Sequence, residues 1–217
     1  MNKNKIDMKN ASLQNKQTEG RSEFGSKILL SMVFLVFSYS AFSKEYKINS
    51  TSSTLEWEAK KVTGQHHGTI AFAEGTLVVE HKKITGGKVV VDMNTIVDTD
   101  LTDAGYNQKL IGHLKSDDFF GVAKFPQSSL EVKNVAPKSG NVYHFTADLT
   151  IKGITAPVEF EAEVTDASGQ ITATGTMVVN RTKYGIKYGS GSFFQGLGDK
   201  MIYDDFTLKF KLIATAN

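Results

Sequence analysis

From Lys44 onward, apolar and polar side chains alternate one by one along most of the chain. Successive residues of a strand point to opposite faces, so this pattern specifies strands with one dry and one wet face. The clearest case sets Val158, Phe160, Ala162 and Val164 against Glu159, Glu161 and Glu163. Phe145-Ala147-Leu149-Ile151, Phe206-Leu208-Phe210-Leu212, Ile171-Ala173-Gly175-Met177-Val179 and Leu55-Trp57-Ala59 repeat it. Further strands are expected over Gly68–Ala73, Gly75–Glu80, Lys83–Met93 and Ser128–Val135, about eight or nine in all. Glu74-Gly75, Thr85-Gly86-Gly87, Lys138-Ser139-Gly140-Asn141 and Ser168-Gly169 supply turn signals between them. Short connections favour an antiparallel meander. An open sheet with this many phenylalanines on one face would aggregate, so the dry faces must meet in a closed barrel or a two-sheet sandwich. An eight-stranded barrel is either filled by its own side chains or holds one small ligand.

One segment breaks the alternation. Thr102–Leu114 has an N-cap candidate in Thr102 or Asp103, and Tyr106, Leu110, Ile111 and Leu114 follow at helical spacing, which predicts an amphipathic helix near a barrel opening. Arg181–Lys200, with five glycines, reads as a long mobile loop.

The N-terminal residues are set apart from the fold. Ile28–Phe37 is an apolar run preceded by Arg21 and Lys27 and followed by the small-residue site Ala41-Phe42-Ser43. It is shorter than the ~20 residues that span a bilayer and has the length of a signal-peptide core. Residues 26–43 are therefore expected to be a signal peptide, residues 1–25 a polar extension with the look of a mis-placed translation start, and 44–217 a single domain. The expected location is periplasmic or secreted. Removing residues 1–43 takes away six basic and three acidic residues and leaves 19 basic against 20 acidic. The basic excess of the whole chain thus belongs to its leader and supports no nucleic-acid partner. Cysteine is absent, which excludes disulfides, thiolate metal ligands and a cysteine nucleophile.

Few polar residues suggest chemistry. His66 and His67 are adjacent on a strand, so their rings point to opposite faces and do not share a metal. Asp98, Asp100 and Asp103 lack the glycine and terminal glutamate of a calcium loop. Asp117-Asp118 and Asp204-Asp205 read as solvated or capping carboxylates. No nucleophile elbow, phosphate loop or dinucleotide fingerprint is present. These readings leave no metal, no cofactor and no catalytic set.

Four segments carry a resemblance: Trp57–Gly68 (WEAKKVTGQHHG), His113–Pro126 (HLKSDDFFGVAKFP), Leu149–Val158 (LTIKGITAPV) and Asn180–Ile186 (NRTKYGI) followed by Gly198-Asp199. Together they resemble the YceI-like polyisoprenoid-binding proteins over nearly all of residues 44–217. Phe120-Gly121-Val122 departs from the pattern, where an aspartate more often follows the paired phenylalanines. The resemblance implies an all-β, extended lipocalin-like barrel of eight antiparallel strands with one helical insertion. It also implies a long-chain isoprenoid lipid or quinone in the interior, and it leaves transient membrane contact and a homodimer open. On that basis the apolar lining is expected from Trp57, Phe72, Phe119, Phe125, Phe145 and Leu149, with Phe160, Met177, Phe206 and Phe210. Arg181 and Tyr184 are the expected head-group contacts, although Arg181 could equally pair with a carboxylate at the base of a loop. Lipid binding is the leading reading. The alternative is an enzyme acting on a lipid or quinone in the same barrel, with His113, Asp117 or Asp118 as acid or base.

Overall fold

The structure is a computed structural model that describes residues 43–81 and 83–216. The expected leader lies outside the described residues except for Ser43. Among the described residues no helix is long and apolar enough to cross a membrane.

Among the described residues, nine strands form one antiparallel sheet. They are β1 (Ser43–Ile48), β2 (Thr54–Lys61), β3 (Gly64–Glu80), β4 (Lys83–Asp98), β5 (Gln127–Ser139), β6 (Val142–Ile151), β7 (Ile154–Ala167), β8 (Gln170–Asn180) and β9 (Ile202–Ala216). Helix α1 (Ala104–Lys115) lies between β4 and β5. Consecutive strands pair from β2 through β9, and β2 pairs with β9, which closes a barrel of eight staves. The ninth strand is no extra stave. β1 pairs with the far ends of β3 and β9, the same two neighbours that β2 pairs with lower down. β1 and β2 are thus one stave broken at Asn49–Ser53. Asn49 Oδ1 folds the break by accepting from Thr51 and Ser52, and Ser53 Oγ stitches it to β9 by accepting from the Ile213 N–H at 2.9 Å.

The dry faces are those the alternation marks: along β6, Phe145, Ala147, Leu149 and Ile151 are buried, and along β2, Leu55 and Trp57. Two expected turns are absent. Glu74-Gly75 lies inside β3 at a bulge, and Gly86-Gly87 lies inside β4 beside another. Both glycines serve close approach instead. A Cβ on Gly75 would sit 2.4 Å from Ile48 Cδ1, and one on Gly87 would sit 2.6 Å from the Thr76 carbonyl oxygen. The chain reverses at His81 instead, which adopts a left-handed φ of 50°.

An up-and-down path places the β2–β3 and β6–β7 turns, helix α1 and the β8–β9 connection at one end of the barrel. Asp103 caps α1 by accepting from the Tyr106 N–H at 2.9 Å. Leu114 is buried, Leu110 and Ile111 are half-buried, and Tyr106 faces solvent. The Arg181–Lys200 stretch is not an open loop. It begins and ends in 3-10 turns, and Tyr184, Ile186 and Ser190 within it are wholly buried.

Candidate functional site

The barrel interior holds a cavity of about 190 Å³ whose wall is almost entirely hydrocarbon. Every stave contributes: Leu55 and Trp57 from β2, Ile70 and Phe72 from β3, Met93 and Ile96 from β4, Leu130 and Val132 from β5. Phe145 and Leu149 from β6, Phe160 and Ala162 from β7, Ala173 and Met177 from β8, and Phe206 to Leu212 from β9 complete the ring. Leu114, Phe119 and Phe120 close the helical end with Ile186. Apart from Trp57, whose indole N–H is taken up by the Val97 carbonyl, the polar lining residues are Ser128, Ser129, Arg181 and Tyr203, and no carboxylate, imidazole or amine lines the wall. An apolar cavity of about 150 Å³ already stays dry and takes up apolar guests, so this one is built for hydrocarbon.

Aromatic packing keeps the space open. Phe145 and Phe160 stack with planes 3° apart and centroids 5.2 Å apart, and Phe210 meets Phe160 edge-on at 5.6 Å. Phe210 reaches that position because Gly175 opposite it has no side chain. A Cβ there would lie 2.6 Å from the Phe210 ring and 2.6 Å from the Glu161 carbonyl oxygen.

Ten of the twelve residues expected at the ligand line this cavity: Trp57, Phe72, Phe119, Phe145, Leu149, Phe160, Met177, Arg181, Phe206 and Phe210. Phe125 and Tyr184 do not. The Phe125 ring lies over the β6–β7 turn, where a Cβ on Gly153 would come within 2.9 Å of it, so it packs outside the wall. Tyr184 is wholly buried behind the wall, its hydroxyl has no hydrogen-bond partner among the described residues, and burial pushes its pKa up to about 12.

Arg181 borders the cavity but has no hydrogen left for a head group. Nε donates to the Tyr203 carbonyl, Nη1 to those of Ile186 and Tyr188, and Nη2 to that of Ile202 and to Asp204 Oδ1 at 3.4 Å. All five N–H groups are spent. Burial lowers its pKa and Asp204 opposes that shift. Asp204 is itself held below the ordinary carboxylate range: burial works against this, and the Ser190 and Ser192 hydroxyls and Arg181 outweigh it. The Arg181 guanidinium is therefore the pin that fastens the β8–β9 connection onto the barrel end.

His113 lies outside the cavity wall. Its Nε2 is 3.4 Å from Asp118 Oδ2, and its ring sits edge-on between Phe119 and Tyr188. Asp117 takes Lys124 Nζ at 2.6 Å. These three residues do not converge on the interior.

A second polar group forms where β4 ends against β3. Gly68 pairs with Asp98, which brings His66 beside Asp98 and Asp100. His66 Nδ1 is 2.9 Å from Asp100 Oδ2 and 3.9 Å from Asp98 Oδ2. Burial, then the proximity of Asp100, pushes the Asp98 pKa up. Asp100 is lowered to about 2: burial opposes the change, and Asp98, the His67 N–H and His66 overcome it. The three side chains were separately visible in the sequence, but not the strand register that joins them.

Comparison with known proteins follows the same outline. The YceI-like domain family matches residues 46–214. Protein YceI of Escherichia coli O6:H1 is 36% identical over 99 residues, which are 45% of this chain and 48% of that one. The corresponding Salmonella arizonae protein is 35% identical over the same share. The alignment thus spans about half the length of these relatives. Among solved structures, Burkholderia cenocepacia BcnA superposes with a TM-score of 0.62 at 23% identity, over 77% of this chain and 99% of that one. A polyisoprenoid binding domain from Saccharophagus degradans implicated in plant cell wall breakdown superposes at 0.58 with 16% identity, over 79% and 98%. Both likenesses establish the fold.

Proposed function

The chain belongs to the YceI-like domain family, and from that premise and its hydrocarbon-walled cavity we propose that it binds a long-chain isoprenoid lipid or isoprenoid quinone inside the barrel. The observation that carries this reading is the wall itself: a ring of apolar side chains from all eight staves, with only a few polar residues among them and no carboxylate, imidazole or amine. Each buried methylene is worth ~0.8 kcal/mol, so ten of them supply about 8 kcal/mol before the costs of ordering, without any directed contact. The polyisoprenoid-binding neighbour from Saccharophagus degradans supports the ligand class. The leader anatomy of residues 26–43 supports export to the periplasm or beyond.

Binding rather than turnover is the reading, because His113, Asp117 and Asp118 stand outside the cavity wall. Exposed Tyr188, Phe193, Phe194 and Tyr203 gather on the β8–β9 side of the helical end, with Lys187 against the Phe193 ring. Aromatics with flanking lysines suit a bilayer interface, and lipid would be exchanged there by transient membrane contact. The test is to express the full chain in an export-competent bacterium, purify without detergent, extract with organic solvent and identify the released molecule by mass spectrometry. A polyprenyl chain or quinone at close to one per protein is expected. Repeated recovery of ligand-free protein that takes up no polyprenol would overturn the proposal.

A further inference from the structure

We propose that His66, Asp98 and Asp100 form a binding site for one divalent transition-metal ion of the zinc class, on the barrel end and apart from the lipid cavity. One ligand atom from each residue, a ring nitrogen of His66 and a carboxylate oxygen each of Asp98 and Asp100, lies within 4.8 Å of the other two. Ligands at ~2.0–2.2 Å from a tetrahedral ion stand roughly 3.3–3.6 Å apart, and the observed 2.9 and 3.9 Å bracket that spacing.

The decisive atom is Asp98 Oδ2. Its side chain is fully buried, and the atom accepts no hydrogen bond from any described residue. A buried carboxylate oxygen without a partner carries a desolvation cost that a cation would remove. Both aspartates are divided in the same way. Asp98 Oδ1 accepts from the Leu101 N–H and from Asn107 Nδ2, and Asp100 Oδ1 accepts from the His67 N–H. Each carboxylate is thereby oriented by backbone or amide donors on one oxygen and presents the other to the site, which is how protein scaffolds hold metal ligands.

His66 and Asp100 remain partly open to solvent, so an ion has a path in and room for water as a fourth ligand. One imidazole nitrogen with two carboxylates suits zinc, cobalt or manganese. Calcium wants six to eight oxygens and is not matched. The alternative occupant is a proton shared between Asp98 and Asp100, which predicts no saturable Zn²⁺ binding.

A metal here would fasten three parts of the barrel end. His66 belongs to β3, Asp98 ends β4, and Asp100 opens the connection to α1, whose Asn107 already reaches Asp98. Trp57, the single tryptophan of the chain, donates its Nε1–H to the Val97 carbonyl at 3.0 Å and so reports on the site.

The experiment strips untagged protein with a chelator and titrates it with Zn²⁺ by calorimetry, then with Co²⁺ while following visible absorption and Trp57 emission. One saturable equivalent per chain is expected, with Co²⁺ ligand-field bands and quenching of Trp57. Asp98→Asn keeps an oxygen to accept from Leu101 and Asn107 and removes the charge. It should weaken Zn²⁺ at least tenfold, and the metal-free variant should melt no lower than metal-free wild type. Asp100→Asn, at a partly exposed position, is the companion variant and should weaken Zn²⁺ as strongly. Absence of saturable binding overturns the proposal. So does binding that survives Asp98→Asn and Asp100→Asn, or that is lost instead in His81→Ala or His144→Ala, since it then belongs to surface histidines.

Discussion

Filling the cavity from within tests its energetics directly. Ala162 and Ala173 are small residues on neighbouring staves, and both line the space. An unfilled apolar cavity costs about 24 cal/mol per Å³, so one of 190 Å³ leaves about 4–5 kcal/mol unrealised in the ligand-free protein. Replacing both alanines with leucine adds six carbons, about 5 kcal/mol of gross burial, from which strained rotamers subtract about 1–3 kcal/mol. A net gain of 2–4 kcal/mol corresponds to a melting shift of about 4–16 °C at this chain length. The assay compares thermal unfolding of solvent-extracted wild type, lipid-loaded wild type and Ala162→Leu/Ala173→Leu, with mass spectrometry of each extract. The double variant should melt well above extracted wild type, near the loaded protein, and should carry no lipid. If it melts below extracted wild type, the interior is already close-packed and the cavity reasoning fails. If it melts higher yet still purifies with lipid, the ligand resides elsewhere.

Three further outcomes follow from polar groups at the helical end. Arg181→Ala leaves four carbonyls and Asp204 without their donor, and should cost about 3–5 kcal/mol in urea unfolding, with Arg181→Lys recovering only part because an ammonium cannot span the five acceptors. Tyr184→Phe removes a buried hydroxyl that has no partner among the described residues and should raise stability by about 1 kcal/mol in the same assay. Asp204 has a folded pKa below its unfolded value, so its stabilising contribution is complete above pH ~4 and is lost as acid takes the pH down through the folded pKa. Wild type should therefore lose stability below pH ~4 more steeply than Asp204→Asn, as followed by circular dichroism.

The strand faces were legible because alternation is a local property: one residue in, the next out, whatever the partner strand. Helix α1 was legible for the same reason, since Asp103 and the spacing of Leu110, Ile111 and Leu114 act within one segment. Glycine was ambiguous. At Gly140 and Gly169 it marks a turn with positive φ, while at Gly75 and Gly175 it marks a place where a neighbouring side chain or carbonyl presses against the backbone. Composition reads the two uses alike, and only the pairing separates them. Most wall residues lie on strands whose alternation marks a dry face, whereas Phe119 and Phe125 belong to the irregular segment between α1 and β5, where no periodicity assigns a face, and only Phe119 reaches the wall.

Polar residues were the least legible, because their partners are main-chain atoms or side chains far along the chain. Arg181 at a barrel opening suggests a head-group contact until its acceptors are known, and four of them are carbonyls, which every residue type supplies equally. The His66–Asp98–Asp100 group depends on one register. Gly68 faces Trp57 on one side and Asp98 on the other, and a Cβ at Gly68 would lie 1.9 Å from the Val97 carbonyl oxygen. That absent methyl lets β4 end against β3 closely enough for the Val97 carbonyl to meet the Trp57 indole and for Asp98 to reach His66. One glycine thus positions both Trp57, a residue of the cavity wall, and the buried Asp98 carboxylate outside that wall.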